Sequence, residues 1–268
     1  MKSIFLIIFI SLNIIAQDII NGDIQIAQIE SNFAGKLTID GKQREWLVNP
    51  ANKNVKFTIV TAGYYKKGEI VLRNDFNRDT DEIVFKVING QYKKEKISVE
   101  SSKVAPPKEV LKRIEEERDE ANKIYSTSTP GLKFNTAFML PMSSVITSPF
   151  GTARVFNDLV KSYHSGTDFR AAIGTPVVSS NDGIVVIAKD RYYAGGSVVI
   201  DHGEGIYTQY YHLSKIDVKL GAKIKKGEII GLSGASGRVS GPHLHFGVIV
   251  NGVQVNPINF IKKINALF

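Results

Sequence analysis

Cysteine is absent from this 268-residue chain. No disulfide can staple the fold, no thiolate can bind a metal or attack a substrate, and no cysteine can carry a lipid. Tryptophan occurs once and histidine only five times. A membrane-spanning helix needs roughly 20 apolar residues, and the N-terminal run from Ile4 to Ile10 is interrupted soon after by Ser11 and Asn13. There is no block of consecutive Lys and Arg of the kind that makes a nucleic-acid arm. Two catalytic signatures are missing as well. No His-Glu-x-x-His occurs, which excludes a helical zinc site with a glutamate base. The glycine-rich stretch Gly231 to Gly237 has neither the Gly-x-Ser-x-Gly of a hydrolase elbow nor the Gly-Lys-Ser/Thr of a phosphate loop. It reads as a tight turn.

What remains is an ordinary globular composition, 43% hydrophobic and 22% charged, with a formal charge of +8. That charge favours an anionic partner: nucleic acid, a membrane surface or an acidic polymer such as cell wall. Met1-Lys2, the apolar run after it and Ala16-Gln17 read as a secretory signal peptide over residues 1–16. An uncleaved anchor is the alternative. Both take the bulk of the chain out of the cytoplasm, to a periplasmic or secreted location, with no stable membrane span once the signal is removed.

Residues 17–104 carry the pattern of a small β-domain. Val55 to Ile59, Glu69 to Leu72 and Glu82 to Ile88 are rich in β-branched and aromatic residues. Asp40-Gly41 and Asn89-Gly90 mark turns, the second predicting a hairpin from Ile88 into Gln91 to Val99. About seven short strands predict an immunoglobulin-like β-sandwich, with Trp46 as a packing residue. Residues 105–130 form a linker whose helix spans Lys108 to Tyr125. Val110, Leu111, Ile114, Ala121 and Ile124 make its narrow apolar stripe. The helix is read either as a connector with a solvated charged face or as a regulatory element over an active cleft that could also recruit a partner. Residues 131–268 return to short strands with glycine corners, a second all-β domain.

All five histidines, His164, His202, His212, His243 and His245, fall in this last domain. His243-Leu244-His245 lies within an apolar run. On a strand, residues i and i+2 share a face, so both imidazoles project together while Leu244 and Phe246 enter the core. Such a pair serves a metal, acid–base chemistry or simply the surface. His164 and Asp168 stand in a loop entering a strand and offer an imidazole and a carboxylate, both normal zinc donors. Two imidazoles and one carboxylate would leave a fourth position open, as in catalytic zinc sites. His212 and one member of the 243/245 pair then remain for proton transfer. His202 is read as a turn residue.

Several motifs occur in one order: Ser148-Pro149-Phe150-Gly151, His164-x-Gly166-x-Asp168-Phe169, Gly174-Thr175-Pro176-Val177, Tyr211-His212-Leu213-Ser214, Lys226-Gly227, Gly231 and Gly241-Pro242-His243-Leu244-His245-Phe246. From about residue 138 to 260 the chain resembles the lysostaphin-type, LytM-like zinc metallopeptidases. The resemblance implies His164, Asp168 and His245 as Zn2+ ligands, His243 as general base and His212 as the partner that stabilises an oxyanion. It also implies an antiparallel β fold with a groove over the metal. The implied substrates are peptidoglycan stem peptides and cross-links, cut as a D,D-endopeptidase or D,D-carboxypeptidase. The rival class is a non-catalytic LytM-like factor that activates cell-wall amidases, and such factors characteristically lack the ligands present here. A cell-wall machinery partner would engage the N-terminal domain or the linker helix. Two positions depart from the pattern: Gly247, where many relatives carry an acidic residue, and Arg238-Val239-Ser240 before Gly241.

Overall fold

A computed structural model of the chain describes residues 15–97, 106–156 and 160–268. The expected signal segment lies outside these residues up to position 14. The end of the expected strand at Ser98-Val99 also lies outside them.

The N-terminal β-domain consists of two sheets on a common apolar core. One sheet has the strand order Ile15–Ile20, Asp79–Ile88, Glu69–Phe76, Lys36–Ile39, Lys42–Arg44. The other has Asp23–Glu30, Val55–Ala62, Leu47–Val48. The first strand pairs in parallel with Asp79–Ile88, whereas the other neighbours are antiparallel. This arrangement is that of an immunoglobulin-type sandwich. Ile19, Ile29, Leu37, Val60, Ile70, Leu72, Ile83 and Phe85 fill the space between the sheets. Trp46 is buried beside them, and its indole N–H donates to Asn74 Oδ1 at 3.0 Å.

The two turn signals have different outcomes. At Asp40-Gly41 both residues have positive φ, and Ile39 pairs with Lys42 across a two-residue hairpin. Asn89-Gly90 closes no hairpin. The strand Asp79–Ile88 already has a neighbour on each edge, and the Gly90 N–H is taken by Asn21 Oδ1 at 2.7 Å. The following segment, Lys94–Ile97, instead pairs in parallel with Ala153–Phe156 of the C-terminal half. Turn chemistry is local, and occupied sheet edges overrule it.

The linker helix spans Lys108–Tyr125. Its stripe does not pack evenly: Leu111 is exposed, Ala121 is buried, and Ile124 and Tyr125 join a small apolar cluster with Ile187, Val199, Tyr207 and Ile249. Its charged side is only partly solvated. Arg113 pairs with Asp190 at 2.9 Å, Glu120 with Lys189 at 2.7 Å, and Glu117 accepts from the Tyr192 N–H at 2.9 Å. Exposed pairs of this kind contribute about 0–1 kcal/mol each. The buried end of the helix therefore dominates its attachment. Among the described residues no helix is long and apolar enough to cross a membrane.

The C-terminal half is one large antiparallel sheet with the central order Ile146–Ser148, Thr167–Arg170, His243–Val250, Ile206–Ile216, Gly195–Asp201, Gly183–Arg191. In His243–Val250 the side chains of Leu244, Phe246, Val248 and Val250 are fully buried. Burying each such side chain contributes roughly 1.5–3 kcal/mol, and a one-residue slip would move the whole set out of this core and put the histidines in its place. The core face thus fixes where His243 and His245 emerge on the opposite face. The helix Pro257–Ile264 closes the core from below. Its Lys263 ammonium lies 2.9 Å from Asp23, and Ile24, Phe57 and Ile59 of the sandwich join the same apolar cluster. The two halves share a continuous core.

Candidate metal centre

Three adjacent strands carry the site. Within Thr167–Arg170 and His243–Val250, Asp168 and His245 are direct cross-strand partners. On the other side of His245, its partner in Ile206–Ile216 is Tyr211. His164 follows the strand Val160–Tyr163, held by its backbone N–H to Thr152 at 2.9 Å and by its carbonyl accepting from Gly151 at 2.8 Å. Gly166 lets the loop pass tightly behind His245, where a Cβ would lie 2.5 Å from His245 Nε2 and from the Phe246 carbonyl.

His164 Nε2, Asp168 Oδ1 and His245 Nδ1 converge. Nε2 of His164 is 2.9 Å from the carboxylate oxygen and 3.0 Å from His245 Nδ1, and Nδ1 is 2.9 Å from the same oxygen. All three residues are buried, and they form a group able to hold a metal ion. The surroundings fix the tautomer of His164. Its Nδ1–H donates to the Pro149 carbonyl at 3.0 Å, which leaves Nε2 as the lone-pair nitrogen. A ligand imidazole ordinarily makes such an outer hydrogen bond.

His243 and His212 complete the cluster, with ring centroids 4.8 Å apart. His243 Nδ1–H donates to Gly241 at 2.8 Å, and His243 Nε2 points toward the triad, 3.7 Å from Asp168 Oδ1. His212 Nδ1–H donates to the Ser236 carbonyl at 2.9 Å. His212 also adopts φ +64, a left-handed conformation uncommon outside glycine and costly for a side-chain-bearing residue. Burial favours the uncharged form of His212 and His245. Burial, then the neighbouring His245 and His243, pull His212 down to about 3, and burial pulls His245 down as well. Burial by itself would raise the Asp168 carboxyl, but the His164 and His245 imidazoles packed against it outweigh burial and hold Asp168 well below the usual carboxylate range. Neutral imidazoles around a carboxylate are the state in which a divalent ion is bound.

The structure therefore brings together all five residues singled out from the sequence. His202 stands apart. It occupies the expected turn yet is fully buried, with Nδ1 bonded to the Asp182 carbonyl at 2.7 Å and Nε2 to Thr208 at 2.8 Å. Sequence reasoning did not find the carbonyls of Pro149, Ser236 and Gly241, because a backbone acceptor leaves no signature in side-chain identity. It also gave Tyr211 no role, although the ring stacks on His245 with planes 4° apart and centroids 5.5 Å apart. The alternation that placed His245 on the outer face places its cross-strand neighbour there too.

Residues 162–257 match the model of peptidase family M23. A solved structure from Pseudomonas aeruginosa assigned to peptidase M23 is 30% identical. It covers 88% of this chain and 92% of its own, with a TM-score of 0.67. This chain belongs to peptidase family M23. Shorter matches run to the peptidoglycan DD-endopeptidase ShyA of Vibrio cholerae, 57% identical over 93 residues, and to the DD-carboxypeptidase/endopeptidase Mpg of Neisseria meningitidis, 38% identical over 116 residues. They cover 35% and 42% of this chain but only 22% and 26% of those relatives.

Proposed function

We propose that this M23 family member is an exported zinc peptidase that hydrolyses peptide bonds in peptidoglycan stem peptides or cross-links, in the periplasm or at the wall. The observation that carries this reading is the buried His164–Asp168–His245 set. Its donor atoms all lie within 4.8 Å of one another, and two further histidines with fixed tautomers stand beside it. The relatives named for peptidoglycan endopeptidase and carboxypeptidase activity support the substrate class. The +8 charge suits an anionic wall polymer.

The donor set fits zinc: two imidazole nitrogens and one carboxylate oxygen, with an outer hydrogen bond fixing the first imidazole. Zinc bound there would polarise the scissile carbonyl and make water more acidic. His243, with its Nδ1 proton committed to Gly241, presents Nε2 as the base that takes a proton from the attacking water and returns it to the leaving amine. His212 spends its Nδ1 proton on Ser236. It can donate to an oxyanion only while it carries a proton at Nε2, which would be the water proton shared with His243, whose ring centroid is 4.8 Å away, before that proton goes to the leaving amine. Asp168, held as the carboxylate, offsets positive charge that accumulates among the imidazoles.

Defined muropeptide monomers and cross-linked dimers, incubated with zinc-loaded protein and analysed by mass spectrometry, test the proposal. Two products whose summed mass exceeds that of the substrate by one water, from cleavage of a D-Ala-containing peptide bond, are expected, and their formation should stop with a chelator. Intact substrates after incubation with protein shown to contain zinc would sink the hydrolytic reading. Stimulation of an added amidase in the same assay would then favour the activator class.

A further inference from the structure

We propose that the helix Lys108–Tyr125 is a positioning element for the metal centre, acting on His245 through Tyr125 and Tyr211. The inference rests on the reading of His245 as a metal ligand, and it gives the linker a task opposite to that of a lid.

The contacts form a short chain from helix to ligand. The Tyr125 hydroxyl lies 3.3 Å from the Tyr211 hydroxyl. Tyr125 also accepts from the Gln209 amide at 2.8 Å, so its position is set from two sides. Its ring packs edge-on against Tyr207, whose own hydroxyl donates to the Ile124 and Thr127 carbonyls at 3.0 and 2.9 Å. Tyr211 in turn lies flat against the imidazole of His245. Tyr207, Gln209 and Tyr211 are alternate residues of one strand, so they line the same sheet face as His245. The end of the helix therefore docks on the face that carries the site.

The stack matters because a ligand nitrogen must hold its lone pair in the imidazole plane and aim it at the ion. Rotation of the ring about χ2 swings that lone pair away, and terminal torsions of this type are soft. Asp168 and His164 touch Nδ1 only, at the end where the metal would sit. Tyr211 contacts the flat of the ring and sets its plane. Tyr211 is held in turn by the hydroxyl of Tyr125.

Gly247 leaves room for the Gln209 side chain that meets the helix. A Cβ at Gly247 would overlap Oε1 of Gln209. The missing side chain leaves the space into which the buried Gln209 amide folds, and that amide turns its N–H group to Tyr125.

The two roles for the helix differ in what they predict. A lid would restrain hydrolysis and leave metal affinity alone, whereas a brace raises metal affinity. The test uses the full chain, with zinc affinity read by competition with a chromophoric chelator and ligand geometry read from the visible absorption of the Co2+-loaded protein. Tyr211→Leu is expected to weaken zinc binding about tenfold, the low end of what outer contacts of ligands contribute, and to change the Co2+ spectrum. Tyr211→Phe keeps the stacking ring but loses the hydroxyl contact with Tyr125, so it should fall between Tyr211→Leu and wild type in both readouts. Tyr125→Leu should lose affinity in the same direction by a smaller factor. Wild-type affinity and spectrum in either folded leucine variant overturns the inference, as does faster hydrolysis by Tyr125→Leu at unchanged affinity. Should Tyr211→Leu fail to fold by circular dichroism, Tyr125→Leu decides alone. A wild-type protein that binds no zinc overturns the metal-site reading and this inference with it. That result is distinct from zinc bound equally by wild type and variants.

Discussion

His202 and His164 are both buried in the C-terminal half, and burial alone does not tell them apart. Each gives Nδ1 to a backbone carbonyl, Asp182 for one and Pro149 for the other. The difference lies at Nε2. In His202 it meets the hydroxyl of Thr208, a neutral partner that can donate or accept, and the imidazole is satisfied as a neutral ring. In His164 it meets a carboxylate oxygen and the nitrogen of another imidazole, both of them atoms that can ligate a metal. Three lone-pair-bearing atoms facing one point make a poor hydrogen-bond network and a good metal cradle. A structural histidine has finished partners. A ligand histidine has partners that share its need.

The sharpest way to break this comparison is to remove one ring from each region. His245→Ala is expected to abolish zinc binding and bring hydrolysis to background, since two remaining protein donors make an incomplete site. His202→Gln should keep one equivalent of zinc. Metal analysis on purified, folded variants decides it. Zinc retained by His245→Ala or lost from His202→Gln would erase the distinction.

A finer division runs within the site. His243 lies two residues from His245 on the same strand face, but its Nε2 is 3.7 Å from Asp168 rather than in the 2.9–3.0 Å triangle. His243→Ala should therefore bind zinc as wild type does while turnover falls about 10²–10⁴-fold, the usual contribution of a positioned acid–base group. Turnover within twofold of wild type at full zinc content would remove His243 from the proton path.

How much of this the sequence carried depends on the kind of interaction. The strand His243–Val250 was legible because its alternation is strict and both faces make demands, apolar side chains below and imidazoles above. The helix Lys108–Tyr125 was legible from its period and from Pro106-Pro107 before it. Its docking was not, because the partners of Tyr125, Gln209 and Tyr211, come from more than 80 residues away. The Asn89-Gly90 hairpin failed for a related reason. A turn signal describes four residues, and the edges of Asp79–Ile88 were claimed by strands that no local window contains. His164 and Asp168 gave a donor pair of the right chemistry, but only the register of Thr167–Arg170 against His243–Val250 makes Asp168 the neighbour of His245.

The smallest expected effect concerns stability, and it sharpens the contrast from the side of His202. Burial pulls this imidazole down to about 4, against a partial upward pull from the Asp182 carbonyl and from Asp201. In the unfolded chain it titrates near the ordinary value of about 6.5. Between these two values the unfolded state binds a proton that the folded state refuses, so stability falls as pH falls. The contribution is fully present above about pH 6.5 and is lost by about pH 4, a change of about 3 kcal/mol at 1.36 kcal/mol per unit. His202→Gln removes that proton from the balance. The slope of unfolding free energy against pH over this window should become shallower in the variant, whatever its absolute stability at pH 7. His212 and the triad contribute to both proteins alike, so the difference between the two slopes isolates His202. Parallel slopes in denaturant titrations across the window would mean that His202 accepts a proton inside the fold, and its partners would then be no more finished than those of His164.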